Sequence, residues 1–148
     1  MNTMQALRAR FRVGALPVLA WAGGLVLSVG LGGCPSRGPA SFPVEPAPTV
    51  SPAAQQAAAK IYAERCQQCH GPGGAGDGPM AKALVPRPQN LRDKVWQSNA
   101  TNKRLRKVLV YGGAAVGKSA VMTGAPDLEK SPEVVDGLIV IVRGFSEP

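Results

Sequence analysis

Aromatic side chains are scarce in this chain, at 5% of 148 residues, and between residues 53 and 145 there are only four: Tyr62, Trp96, Tyr111 and Phe145. A core that poor in large side chains needs help from something other than its own packing. Histidine occurs once, at His70, which excludes a metal held between two imidazoles of the same chain. Acidic residues number nine against seventeen basic ones, and none precedes Cys34. No aromatic residues are interleaved with the basic ones, so the excess charge does not read as a nucleic-acid surface; an acidic protein partner or lipid headgroups suit it better. No internal repeat is present.

What is there starts with the N-terminal segment. Arg8, Arg10 and Arg12 precede an apolar run from Val13 to Leu31, broken only by Gly, Ala, Pro17 and Ser28, which is the charged-then-apolar layout of an export signal. It closes on Leu31, Gly32, Gly33 and Cys34, and that closing resembles the lipobox of bacterial lipoproteins. The resemblance implies that residues 1–33 are a signal peptide and that Cys34 is acylated, on the periplasmic side of a bacterial membrane. The other reading is an uncleaved anchor of about 19 residues, long enough to span a bilayer. Both put the rest of the chain outside the cytoplasm. Six prolines between residues 35 and 52, with almost no apolar periodicity, predict a stiff extended tether over residues 34–52. The folded domain is expected over residues 53–148. Without the three signal arginines, the net charge of +8 falls to about +5.

With Cys34 lipidated, two cysteines remain, in the pentad Cys66, Gln67, Gln68, Cys69 and His70. C-x-x-C-H is the pattern of covalent c-type haem attachment. On a helical turn, positions i, i+3 and i+4 face the same way, so two thiols can bond the two haem vinyl groups while the adjacent imidazole reaches the iron. A thioredoxin-like redox pair would want a strand before it. Here the preceding residues 53–65 are rich in Ala, Gln, Lys and Glu without Gly or Pro, which predicts a helix. One covalently bound haem c would also supply the missing core mass.

On these residues the chain resembles the class I, mitochondrial-like family of bacterial monohaem cytochromes c over about residues 53–145. The segment HGPGGAGDGP at residues 70–79, followed by Pro86, Arg87 and Pro88, looks like the loop after the haem site in a common bacterial subgroup. The resemblance implies a small all-α fold, with three to four helices wrapped around one haem and the last crossing the first. It implies that a backbone carbonyl of the 86–88 loop holds His70. The sixth iron ligand, given one histidine, is a methionine, something unusual such as Lys118, or absent. Met80 stands about ten residues after His70. Met122 lies 52 residues beyond it, far enough along the chain to return on the opposite face. It also occupies the axial position of the family's GGxxxGKSxxM segment, and is the expected ligand. Thr123 stands where the family usually has proline. His/Met ligation favours ferrous iron and suits one-electron transfer. The expected function is a membrane-tethered electron carrier between redox proteins such as a membrane oxidase or reductase, with no catalytic residues. A haem sensor or peroxidase-like enzyme, with an open axial position, is the alternative.

Residues 112–119 read GGAAVGKS and satisfy the phosphate-binding pattern GxxxxGK[ST]. Such a loop should open an intact helix after a buried strand, yet Gly124 and Pro126 break any helix here within two turns, and about 29 residues remain after Ser119. No nucleotide is expected; the glycines are read as letting backbone pass a haem edge. Thr101 is expected to cap a helix over residues 102–111, ended by Gly112 and Gly113. Its basic residues Lys103, Arg104, Arg106 and Lys107 form either a solvated face or a docking patch. Ser131, Pro132 and Glu133 start the last helix, which lacks the family's usual aromatic.

Overall fold

Residues 43–146 are described by the structure, a computed structural model; the expected signal segment and Cys34 lie outside them. Among the described residues there is no strand, and the helices form four rods. The first begins as α1, Pro52–Ile61, where the Ser51 hydroxyl accepts from the Ala54 amide at 3.3 Å and Pro52, which lacks an amide hydrogen, sits at the first position. It runs on through a π-helical turn, Tyr62–Cys66, into α2, Gln67–His70. The pentad therefore closes the helix that the alanine-rich stretch predicts.

The second rod, α3 at Lys94–Asn99, is absent from the sequence-based reading. Asp93 starts it by accepting from the amides of Val95 and Trp96. An acidic cap followed by Val and Trp was the available signal, but six residues are too few to show helical periodicity. The α4 helix, Asn102–Tyr111, has the expected bounds, with Thr101 accepting from the Arg104 amide and Gly112 ending it at φ 81°. The α5 helix, Pro132–Gly144, begins with Pro132 as expected.

The crossing of α1 with α5 is made by small residues. A Cβ on Gly137 would lie 2.8 Å from Ala58 Cβ and 3.1 Å from the Ala54 carbonyl, so glycine sets how closely the two rods approach. The aromatic that the last helix lacks is supplied just past its end: the Phe145 ring packs on Tyr62, with centroids 5.4 Å apart and planes tilted by 50°. Leu138 joins Ala58, Tyr62, Val110, Leu128 and Val135 in one apolar cluster, while Ile139 and Val142 join Leu91, Ala100 and Leu105 in another. The two sides of α5 thus serve two halves of the core. Complete burial of a side chain such as Ile139 contributes about 1.5–3 kcal/mol.

Between α3 and α5 lies a polar knot that sequence reasoning did not anticipate. Gln97 is fully buried and donates to the carbonyls of Leu91 and Val142, each at 2.7 Å. Arg143, 4% exposed, donates to Gln97 O and Oε1 at 2.8 and 2.7 Å, to Ala100 O, and twice to Asn102 Oδ1. All five guanidinium hydrogens are used, which is what keeps a buried arginine from being costly.

Candidate functional site

The last turn of a helix leaves backbone carbonyls without helical partners, and here they organise the loop that follows. The carbonyls of Gln68, Cys69 and His70 accept from the amides of Met80, Gly78 and Gly76, at 2.9, 3.2 and 2.9 Å. Residues 71–80 are thereby folded back onto the pentad. Gly78 has no room for a side chain, since a Cβ would sit 2.4 Å from Gln68 O; one on Gly76 would sit 2.6 Å from Pro88 O. The glycine-rich loop is a thin spacer between the helix end and the 88–89 backbone.

That spacing presents a carbonyl to the only histidine. His70 is buried, and its Nδ1 lies 3.2 Å from the carbonyl of Gln89. The acceptor falls one residue past the expected 86–88 loop, because the backbone at Gln89 packs under Gly76 and continues to Leu91, whose amide donates to Gly74 O at 2.7 Å. Burial holds the imidazole pKa below its ordinary value, partly opposed by the Gln89 hydrogen bond. A neutral ring donating from Nδ1 leaves Nε2 with a free lone pair, the state a metal-ligating histidine requires.

Cys66 and Cys69 are free thiols, both half-buried. Burial pushes the Cys66 thiol up, against the pull of the Arg65 guanidinium and with a smaller push from Cys69. Tyr62, one turn before Cys66, donates to the Gly71 carbonyl at 2.8 Å and so spans the pentad from one end to the other. The π-helical turn lies between Tyr62 and Cys66; the Gln67 amide donates to Tyr62 O, five residues back. The extra residue in that turn takes the pentad out of register with the Ala54, Ala58 and Tyr62 stripe that packs on α5.

Two methionines stand elsewhere. Met80 is 53% exposed and is tied by its amide to Gln68. Met122 is half-buried on the loop after α4, where its carbonyl accepts from Gly113 at 2.8 Å and its amide donates to Ser119 at 3.3 Å. The structure brings Cys66, Cys69 and His70 together on one helix end, and holds Met122 on a separate loop anchored to α4.

The GGAAVGKS stretch follows helix α4 rather than a strand and contains only a 3₁₀ turn, Ala114–Val116. Its first two glycines face their own chain: a Cβ on Gly112 would lie 2.8 Å from Met122 O, and one on Gly113 would lie 2.1 Å from Ser119 O. The returning segment completes the closure, with Ala125 donating to Leu109 O at 2.9 Å. Close passage of Met122 to Gly124 under the end of α4 accounts for Gly112 and Gly113.

The donor set fits a c-type haem, with two thiols and a buried neutral imidazole on one short stretch of helix, in a fold poor in large side chains. No curated protein matches the chain. The family model described as cytochrome C oxidase, cbb3-type, subunit III matches residues 53–136, more than half of the chain. The chain belongs to this family of cytochrome c domains, all-α in fold, which carry a covalently attached haem c with its iron and transfer electrons.

Proposed function

We propose that this member of the cbb3-type subunit III family is a membrane-tethered, class I-like one-electron carrier, working beside a respiratory oxidase outside the cytoplasm. Cys66 and Cys69 would hold the haem through thioethers, and His70 and Met122 would ligate its iron. Bound there, the haem iron supplies a one-electron couple. The observation that carries the reading is the buried His70 ring, engaged through Nδ1 by Gln89 O and adjacent to both half-buried thiols.

Met122 is favoured over Met80 because it is half-buried, whereas Met80 is more than half exposed. A neutral thioether and a neutral imidazole as the iron's ligands would raise the reduction potential relative to two nitrogen ligands. Such a site would pass electrons without binding a substrate at the iron.

A docking face for an acidic partner is supported by α4. Arg106 is paired with Asp136 at 2.6 Å and Arg104 donates to Val116 O, but among the described residues Lys103 and Lys107 have no carboxylate within 4 Å. Both rim a cavity of about 290 Å³ whose other walls include Val110, Leu128 and Val135. No helix among the described residues is long and apolar enough to cross a membrane. Tethering is assigned to lipidated Cys34, after signal residues 1–33, on the resemblance of residues 31–34 to a lipobox, with residues 34–52 between lipid and the haem domain.

The oxidised visible spectrum tests the carrier reading. A low-spin ferric haem with a methionine charge-transfer band is expected; a high-spin iron that binds small ligands at once overturns it in favour of a sensor or peroxidase-like enzyme. Cys34→Ser should release the protein from membranes with its haem intact. A variant that stays membrane-bound through alkaline extraction would instead indicate an uncleaved anchor.

A further inference from the structure

The counter-charge of buried Arg143 comes from outside the helices. Every acceptor that its five hydrogens reach is neutral, and among the described residues the one carboxylate within 4.0 Å is Glu45, in the proline-rich segment before α1. Glu45 is also the only acidic residue among the first 63. It accepts from the Asn102 amide at the first position of α4, a helix with Lys103 and Arg104 and no acid in its first turn. A carboxylate there takes an amide hydrogen with no partner inside the helix and offsets the positive end of the helix dipole. The Asn102 side chain donates to Pro46 O at 2.9 Å while its oxygen receives Arg143. At the far end, the Ser51 amide donates to Glu133 Oε1 at 2.8 Å. Residues 43–51 are thus pinned at both ends, from the Arg143 end of α5 to its Glu133 end.

We infer that residues 43–51 are a strap locked onto the haem domain by Glu45, which shortens the tether and fixes where it leaves the domain. This rests on the membrane-tethered reading above. Of the eighteen residues at 35–52, which fully extended would reach up to roughly 63 Å, the strap leaves the eight at 35–42, which reach roughly 28 Å at most. The exit point lies beside Arg143 in the last turn of α5 and Asn102 at the start of α4. A short leash attached at that end keeps the haem close to the bilayer. That geometry serves a partner embedded in the same membrane and disfavours one that diffuses free of it.

Two measurements on the full haem-loaded chain test this. The first is hydrogen exchange at the Asn102 amide, which has no acceptor within α4 and so reports the strap alone. Glu45→Gln should speed it on the order of tenfold, the worth of a charge-assisted bond, while the Leu105 amide, bonded to Thr101 O, keeps its rate. Equal Asn102 rates in wild type and variant overturn the lock. The second is quenching of a headgroup-attached dye by the haem in vesicles carrying the protein. Glu45→Ala should reduce quenching in the same direction as a ten-residue Gly/Ser insertion after Phe42, and to within about twofold of its effect. If only the insertion acts, the strap does not set the leash although the tether stands. If wild type itself does not quench, the membrane reading fails and the leash with it.

Discussion

The Tyr62 hydroxyl donates a 2.8 Å hydrogen bond to the carbonyl of Gly71, joining the residue one turn before the first pentad cysteine to the residue just after the histidine. Burial, then the nearby Cys66 and Asp77, raises the phenol to about 12. Were Cys66 tied in the proposed thioether, its share would disappear, while burial, the largest cause, would stay. A folded pKa above the ordinary value of about 10 means that the protonated phenol stabilises the fold fully below pH 10, and that this contribution is lost as pH rises toward 12. Tyr62→Phe should cost about 0.5–1.5 kcal/mol at pH 8, the worth of one hydrogen bond. The gap between wild type and variant should close between pH 10 and 12, as read from denaturant midpoints; a gap that widens there would contradict the assignment.

Replacing Met122 with alanine should convert the oxidised haem to high spin and lower its potential by an appreciable part of the ~0.8 V range that axial ligands span. Met80→Ala should leave both spectrum and potential in place. Redox titration monitored by visible absorption separates the two, and the reverse pattern would move the ligand to Met80.

Gly137→Ala should destabilise the domain by up to about 2 kcal/mol. The added methyl meets Ala58 Cβ at 2.8 Å and the Ala54 carbonyl at 3.1 Å, an overpacking cost of about 1–3 kcal/mol that outweighs the ~1 kcal/mol gain in helix propensity. Urea unfolding of the haem-loaded protein gives the number, and an unchanged midpoint would mean that the α1–α5 crossing yields without cost.

Gln97→Ala should cost about 3 kcal/mol or more. It strands the carbonyls of Leu91 and Val142 and removes an acceptor of Arg143 in a fully buried site. A loss under about 1 kcal/mol in thermal or urea unfolding would show that water replaces the side chain.

The pentad, the cap at Thr101, the helix start at Pro132 and the chain break at Gly112 were legible from the amino acids alone, because each depends on neighbours within a few positions. Helix propensity, capping and the C-x-x-C-H spacing are local, and they determined the longer helices and a C-x-x-C-H stretch at the end of the first one; the all-α fold was implied by the family resemblance those residues carry. The features that tertiary structure decided join residues far apart in the chain. Gln89 O meets His70 across 19 residues, Arg143 reaches Gln97 across 46, and Glu45 caps Asn102 across 57. No local pattern selects one carbonyl among many as the partner of a buried ring, or marks one glutamate in a proline-rich stretch as the counter-ion of a buried arginine. Those pairings arise only when the helices pack and bring distant segments side by side; for His70 and Arg143 packing also removes water and leaves the buried donors only protein acceptors within reach.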